Sequence, residues 1–292
     1  MRRDSALTFD IVNYTIQILI TIACIYPFYY IFIYSISDPQ QALKGLFLLP
    51  RDFTLTNYET LFKLDNILNS FVVSVLRTVI GTVVTVICST WFAYAVTKNE
   101  LYFRKFIYRF LVVTMYFNAG LIPWYLTMKE LGLRNNFLLY VIPGAVGAFF
   151  VVLLKTFIEQ LPQALEESAM IDGAGYLTIF TRIVFPLSMP IIATIAVFAA
   201  VGQWNTWQDN YFLVSEDRLQ TMQMILYRYL TEAQQIVNSS NMQALNSGQA
   251  AKVSPVSIRM TITMIVTFPI MLIYPFLQRY FVKGIMLGAI KG

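Results

Sequence analysis

Six long stretches of this sequence are apolar and almost free of charged side chains. They cover residues 11–37, 66–97, 106–128, 135–154, 183–208 and 260–278. None contains Asp or Glu, and Arg77 and Arg109 are their only basic residues. A helix needs about 20 apolar residues to cross the hydrocarbon core of a bilayer. The pattern therefore predicts an all-α polytopic membrane protein with six transmembrane helices in a single domain, residues 1–292.

The polar segments between these runs predict the topology. Basic residues are densest over residues 98–109, beside the ends of two runs. Because Lys and Arg accumulate on the cytoplasmic side, this turn is assigned to the inside. Six spans then place the N and C termini and the polar loop 159–182 in the cytoplasm, and the long polar loop 209–259 on the extracytoplasmic side. Within that outer loop, residues 219–235 have apolar positions at helical spacing and are predicted to form a helix.

Composition supports a membrane protein and excludes several functions. Hydrophobic residues make up 57% of the chain and charged residues 13%, with a mean hydropathy of +0.61. The net charge of +5 comes from basic residues that flank apolar runs, which fits a membrane surface better than a nucleic acid. The chain has no histidine, and its two cysteines, Cys24 and Cys88, lie inside apolar runs. No metal site or catalytic set is indicated, and without a G-x-x-x-x-G-K-[ST] loop the chain has no ATP site of its own.

The polar segment 161–190 interrupts the membrane pattern and is the strongest candidate for a functional site. Within it, Pro162 and Gly173 are predicted to mark the start and the end of a short helix, because proline is common in the first turn and glycine just past the last. Glu166 and Glu167 lie in its first turns, where acidic residues suit the positive end of the helix dipole. Small residues beside them would let another protein's backbone approach closely. The pattern favours a short docking helix, and an ordinary amphipathic connector would produce it as well.

This segment resembles the cytoplasmic E-A-A…G…I-x-L-P loop of ABC-importer permeases. The matching positions are Glu167-Ser168-Ala169, Gly173, Ile183 and Pro186, with Ser168 replacing alanine and Phe185 replacing leucine. The local form E-E-S-A-M-I-D-G-A is most like the carbohydrate-importer branch, whose model is the maltose permease. Residues 219–230, L-Q-T-M-Q-M-I-L-Y-R-Y-L, are more like permeases for complex oligo- and polysaccharides, including the alginate type.

A second motif closes the chain. Gln278-Arg279-Tyr280, Gly284 and the final Gly288-Ala289-Ile290-Lys291-Gly292 resemble the Q-R-Y…G…G-A-x-K-G ending of the same branch. In maltose-type systems this end of one permease reaches the ATPase dimer interface. A solvated, fraying terminus is the alternative interpretation of these residues.

The resemblance implies a fold, a function and partners. The fold would be that of a type I ABC-importer permease. The chain would be the non-enzymatic membrane subunit of an ATP-driven, binding-protein-dependent importer of oligo- or polysaccharides in the bacterial cytoplasmic (inner) membrane. Its partners would be an ABC ATPase dimer that binds ATP and Mg, a second and distinct homologous permease, and a soluble or lipid-anchored substrate-binding protein that contacts the loop 209–259. That loop could equally be a surface segment without a role. The chain itself would hold no cofactor and bind no nucleic acid.

The same resemblance assigns roles within the docking helix. The ATPase-coupling residues would be Glu166, Glu167, Ser168, Ala169, Met170, Ile171, Asp172 and Gly173. Glu167 would form a salt bridge or hydrogen bond with the ATPase, and Ala169 and Gly173 would permit close packing in its cleft. Met170 and Ile171 would supply the apolar anchor.

Candidate substrate-path residues cluster at the outer ends of two runs. Trp204, Asn205, Trp207 and Asp209 lie at the end of the fifth, and Asn118 and Trp124 at the end of the third. Aromatic faces with amide and carboxylate partners suit sugar rings, which combine apolar C–H faces with hydroxyl groups. An interfacial aromatic belt, common to membrane proteins, would give the same composition.

Arg77 is the only charge well inside the second run. No Asp or Glu within any run is available to pair with it. Snorkelling to the interface, or hydrogen bonds to backbone carbonyls freed by a kink, would be structural solutions. Alternatively, Arg77 would line the path and bind the carboxylate of an anionic sugar in a bidentate fork.

Other classes of transporter and enzyme fit less well. An ion-coupled secondary transporter usually has acidic residues within its spans, and these runs have none. An integral membrane enzyme would need a clustered nucleophile, base or metal set. An ABC permease for a solute other than a sugar stays open as an alternative.

Overall fold

The computed structural model describes residues 2–45, 48–63, 66–238 and 256–272. Every regular element in these residues is helical, and Ser37 and Phe53 form only an isolated antiparallel bridge. The all-α prediction is therefore confirmed for the described residues. In chain order the helices are α1 (Arg2–Ser35), α2 (Pro39–Ala42), α3 (Thr56–Phe62), α4 (Ile67–Ala95), α5 (Arg104–Thr114), α6 (Leu121–Glu130), α7 (Ala148–Ile158), α8 (Gln163–Ile171), α9 (Tyr176–Ile179), α10 (Phe185–Leu187), α11 (Met189–Asn205), α12 (Gln208–Leu213), α13 (Met222–Asn238) and α14 (Val256–Leu272).

Two of these helices are long and apolar enough to cross a membrane as single elements. They are the Phe9–Ser35 part of α1, with 27 residues, and α4, with 29 residues. At about 1.5 Å per residue, each exceeds the roughly 30 Å of a hydrocarbon core. Two bent pairs, α7 with α8 at 78° and Tyr176–Leu187 with α11 at 81°, would raise the number of spans among the described residues to four. Six spans stays a prediction.

The predicted third, fourth and fifth runs contain breaks that the hydropathy pattern does not reveal. The third holds α5 and α6, separated at Gly120, whose φ of +85° favours glycine. The fourth begins with a 3-10 turn, Phe137–Tyr140, and becomes α-helical only at Ala148. The fifth bends at Ser188 between two prolines. Glycine and proline account for these breaks, because they favour turns over continuous helix.

Polar side chains of α4 satisfy part of the irregular backbone in the fourth run. The Thr85 hydroxyl donates to the Gly144 carbonyl at 2.8 Å, and the Gly147 amide donates to the Ser89 hydroxyl at 3.1 Å. Non-helical backbone at membrane depth must find such partners, because lipid offers none. Thr85 and Ser89 of α4 are therefore explained by the segment that packs beside them.

The chain divides into two compact units. The first comprises the described parts of Met1–Ile67 and Ile225–Pro269. Within it the end of α1 is buried in a small cluster with α2 and α14, while the apolar length of α1 is exposed. The buried Asn57 side chain donates to the carbonyls of Ser35 and Ser37 at 3.0 and 2.9 Å. It thereby satisfies carbonyl groups that the helix end leaves without an intrahelical partner.

The second unit comprises the described parts of Leu68–Met224 and Ile270–Gly292. It has two core clusters along α4. One surrounds Val73 and Tyr140 near the start of α4, and the other surrounds Tyr94 and Phe180 at its end. The rings of Tyr94 and Phe180 lie 5.4 Å apart. The 21 residues from Val73 to Tyr94 correspond to about 31 Å of helix. The two candidate sites lie at these two clusters.

The remaining predicted segments are covered only in part. α13 begins at Met222 and includes most of the helix predicted for residues 219–235. The sixth run, 260–278, is described as far as Leu272. The closing motif, residues 278–292, lies outside the described residues.

Candidate functional site

The segment around Glu167 forms a short helix set across the end of a membrane helix. α7 ends at Ile158, Pro162 immediately precedes α8, and the two helix axes are bent by 78°. The proline disfavours helix in the residue before it, and so separates the two elements. The helix predicted to open at Pro162 is present as α8.

Gly173 ends α8 in a Schellman motif. Its φ is +82°, the Ala174 amide donates to the Ala169 carbonyl at 2.9 Å, and the Gly173 amide donates to the Met170 carbonyl at 3.0 Å. Both carbonyls would otherwise lack intrahelical donors. Nothing lies within 4 Å of a β-carbon added at Gly173, so the backbone angle is what requires glycine here.

One face of α8 packs onto its own chain. Glu166 forms an ion pair with Lys98, which lies just beyond the end of α4. Ala169 and Ala174 are partly buried against the cluster that contains Tyr94 and Phe180. Ala169, which is predicted to permit close packing with a partner, thus also packs against the protein's own core.

The opposite face of α8 is exposed. Ile171 is 87% exposed and Met170 41%, and the Glu167 side chain is exposed as well. Among the described residues, Glu167 makes no ion pair and no side-chain hydrogen bond. Glu167 and Ile171 are four residues apart, so they lie on the same face of the helix. A carboxylate beside an exposed isoleucine is a surface that a protein partner can cover.

A cleft of about 500 Å³ lies beside α8. It is lined by residues of the turn after α4, the end of α7 and α8 itself, and both members of the Lys98–Glu166 pair contribute to it. Four carboxylates and two basic groups face the cleft, namely Glu100, Glu159, Glu166, Glu167, Lys98 and Arg104. Within the residues that the structure describes, no group of three or more His, Cys, Asp or Glu side chains is arranged to hold a metal ion.

Arg77 forms a buried ion pair with Asp209. Its Nη1 and Nη2 atoms donate to the two carboxylate oxygens at 3.0 and 2.6 Å, and the side chains are 4% and 12% exposed. Nε donates to Gln203 at 3.1 Å and Nη1 to the Thr206 carbonyl at 3.0 Å. The guanidinium also lies 4.5 Å from the centroid of the Tyr140 ring. These four hydrogen bonds and the ring contact stabilise the buried charge of Arg77, which would be costly if it faced lipid.

The acidic partner of Arg77 comes from outside the apolar runs, none of which contains Asp or Glu. Asp209 lies one residue beyond the predicted fifth run, and α11 and α12 carry it back against α4. Because both oxygens of Asp209 bind Arg77, this geometry favours the structural interpretation of Arg77 over direct contact with an anionic sugar.

Comparison with known proteins identifies the family. The model for the binding-protein-dependent transport system inner membrane component matches residues 86–287. The chain belongs to this family. The matched region contains α8 and the whole segment 161–190, whereas Arg77 precedes it.

Relatives of this permease align along almost its full length. The polygalacturonan/rhamnogalacturonan transport system permease protein YtcP of Bacillus subtilis (strain 168) is 36% identical over 287 residues, which are 97% of this chain and 98% of that protein. Protein LplC of the same organism is 34% identical over 97% of this chain and 95% of that protein. A chain from the crystal structure of a bacterial ABC transporter involved in the import of the acidic polysaccharide alginate superposes with a TM-score of 0.84 at 28% identity, covering 95% of this permease and 98% of that chain.

The predicted substrate-path residues of the permease fall into different surroundings. Trp204 is 8% exposed and contacts the Phe71 ring, and Trp124 packs against the cluster that contains Tyr140. Asn118 and Asn205 are exposed. The remaining two, Trp207 and Asp209, lie against Tyr211 and Arg77. The structure therefore joins Asp209 to Arg77 and leaves Asn118 and Asn205 as the solvent- or lipid-facing members of the set.

Several residues of these sites were not found from sequence. Lys98 was recognised only as part of a basic turn, and Gln203 and Tyr140 were not singled out. In the structure Gln203 lies close to Gly81, where an added β-carbon would lie 2.7 Å from the Gln203 side chain. That proximity depends on two residues more than a hundred positions apart and becomes visible only in the folded chain.

Proposed function

We propose that this permease is the membrane-spanning subunit of an ATP-driven importer of acidic oligo- or polysaccharides. The observation that supports this most strongly is the full-length similarity to a polygalacturonan/rhamnogalacturonan permease, together with the match to a chain of an alginate importer. Both polymers are built from sugars that carry carboxylates. The proposed fold is the type I importer arrangement with six spans and cytoplasmic termini, in the bacterial cytoplasmic membrane.

The proposed energy source is a separate ATPase dimer that binds ATP and Mg. Closure of that dimer has to move the membrane helices, and α8 is the described cytoplasmic element suited to receive the motion. Its exposed Glu167 and Ile171 supply a charged contact and an apolar contact on one face. Central, desolvated contacts of this kind supply most of the affinity of a protein interface.

Two further partners complete the proposed complex. A second, homologous permease would form the other half of the path, and a soluble or lipid-anchored binding protein would deliver the sugar to the loop 209–259. Substrate-path residues in this proposal are those with exposed side chains, Asn118 and Asn205. Amides hydrogen-bond sugar hydroxyls as both donors and acceptors.

Mass spectrometry of the intact complex, purified through this permease from its native host, tests the proposal. The expected assembly contains this chain, one homologous permease and two copies of an ATPase, with an acidic oligosaccharide bound. Purification of this permease without an ATPase under conditions that retain the second permease would contradict it. An ATPase-containing complex that carries a solute other than a sugar would instead support the alternative function, an ABC permease for another substrate class.

A further inference from the structure

Two adjacent glutamates of α8 have different surroundings. The carboxylate of Glu166 is partly buried and pairs with Lys98, whereas Glu167, which also borders the cleft, is exposed. Successive residues of an α-helix point about 100° apart, so one short helix can hold two such roles side by side. The Lys98–Glu166 pair joins residues that are 68 positions apart in sequence.

Lys98 is held in place by more than its ion pair. Its ammonium lies 4.3 Å from the centroid of the Tyr94 ring, and its side chain is 16% exposed, against 20% for Glu166. Tyr94 belongs to the last turn of α4 and is itself 2% exposed within the core cluster. The ammonium therefore connects a carboxylate of α8 to a buried ring of α4 through two favourable electrostatic contacts.

The other contacts of α8 with the core are small. Leu161, two residues before α8, packs against the cluster around Tyr94, but α8 itself contributes only Ala169, and Ala174 follows its end. Alanine methyl groups bury little area and leave a helix free to slide or rotate over the surface that they touch. The Lys98–Glu166 pair adds a directional contact between α8 itself and the turn that follows α4.

We propose that Lys98 and Glu166 form a tether that makes α8 and α4 move as one body, and that Lys98 is a positioning residue for the coupling of ATP hydrolysis to transport. The inference rests on the proposed role of α8 as the ATPase contact. Glu167 and Ile171 receive the motion of the ATPase, and the tether passes it to α4. Because α4 also carries the Arg77 pair near its other end, displacement of α8 reaches both core clusters of this unit.

A second pair in the same unit provides a matched control. Lys155 pairs with Glu159, its ammonium lies 4.6 Å from the centroid of the Tyr108 ring, and its side chain is 17% exposed. The exposure, charge and ring contact of Lys155 thus nearly equal those of Lys98, although Glu159 is 49% exposed and Glu166 20%. The difference used by the test is that Lys155 and Glu159 are four residues apart at the end of α7, so their pair does not connect α8 to α4.

The test uses the complete complex in proteoliposomes, with uptake and ATP hydrolysis measured in the same vesicles. Lys98→Gln should retain assembly and ATP hydrolysis. Lys98→Gln and Glu166→Gln should each lower the amount of substrate imported per ATP by about two- to fivefold, the range that a partly exposed ion pair supports. The double variant Lys98→Glu with Glu166→Lys should restore the ratio, and Lys155→Gln should keep the native ratio. An unchanged ratio in both single variants would overturn the proposal, and so would a lowered ratio that the charge exchange does not restore.

Hydrogen exchange of the α8 amides in the nucleotide-free complex gives an independent readout that needs no substrate. Exchange in α8 should be faster in Lys98→Gln than in the native complex, and unchanged in Lys155→Gln. Equal exchange in all three would contradict the tether even if the proposed function holds. Failure of the native complex to import any oligosaccharide with ATP would instead contradict the proposed function and leave the exchange result standing.

Discussion

Breaking the Arg77–Asp209 pair should destabilise the permease far more than breaking an exposed pair. Replacing Arg77 with Met leaves the Asp209 carboxylate, 12% exposed, without its two guanidinium hydrogen bonds. Removing one partner of a buried ion pair costs about 3–5 kcal/mol, because the remaining charge is buried and unpaired. Asp209→Leu should cost a similar amount, since Arg77 then keeps only Gln203 and the Thr206 carbonyl.

The double variant distinguishes a pair from two independent residues. Arg77→Met combined with Asp209→Leu leaves no charge in the site, so its cost should be at least about 2 kcal/mol below the sum of the single costs. The measurement is the free energy of reversible unfolding in mixed detergent micelles. Arg218→Gln is the control, because the Arg218 side chain is 76% exposed and its pair with Glu216 should contribute less than about 1 kcal/mol. The argument would be refuted if the double variant lost as much unfolding free energy as the two single variants together. A loss below about 1 kcal/mol for Arg77→Met would refute it as well.

Three further changes test the sites separately. Glu167→Ala should leave membrane insertion intact but uncouple ATP hydrolysis from uptake in proteoliposomes, and a native transport rate would contradict the docking role. Gly173→Val should loosen the end of α8 by about 1–2 kcal/mol, seen as faster amide exchange, because φ is +82° there, whereas Gly173→Asn should cost less. Gly81→Ala should displace Gln203, whose side-chain atoms lie 2.7 Å from the new methyl, and cost about 1 kcal/mol of unfolding free energy through the lost bond to Arg77. The same change should add little cost to an Arg77→Met variant, and equal costs in both backgrounds would contradict the mechanism.

Local sequence signals predicted the local structure well. Pro162 and Gly173 placed α8, because proline and glycine act on the backbone of their own neighbourhood. The apolar runs likewise predicted α1 and α4, whose helical state depends on consecutive residues. The family motif in the segment 161–190 predicted the permease family that the comparisons establish.

Contacts between distant residues could not be predicted in the same way. Nothing in the local sequence distinguishes Glu166, which forms an ion pair, from Glu167, which is exposed. The partner of Glu166 is Lys98, which is 68 residues away in sequence. The partner of Arg77 is 132 residues away and lies just outside an apolar run. Which polar residues meet depends on how the helices pack, and apolar periodicity specifies only that they are helices.

The most direct test of the account is uptake by the reconstituted complex with ATP trapped on the side of α8. The account predicts import of an oligogalacturonide that requires both ATP and the binding protein, exceeds import of a neutral oligosaccharide of equal length, and persists when an uncoupler collapses the proton gradient. Uptake that proceeds without ATP and is abolished by the uncoupler would contradict the central claim and favour an ion-coupled transporter.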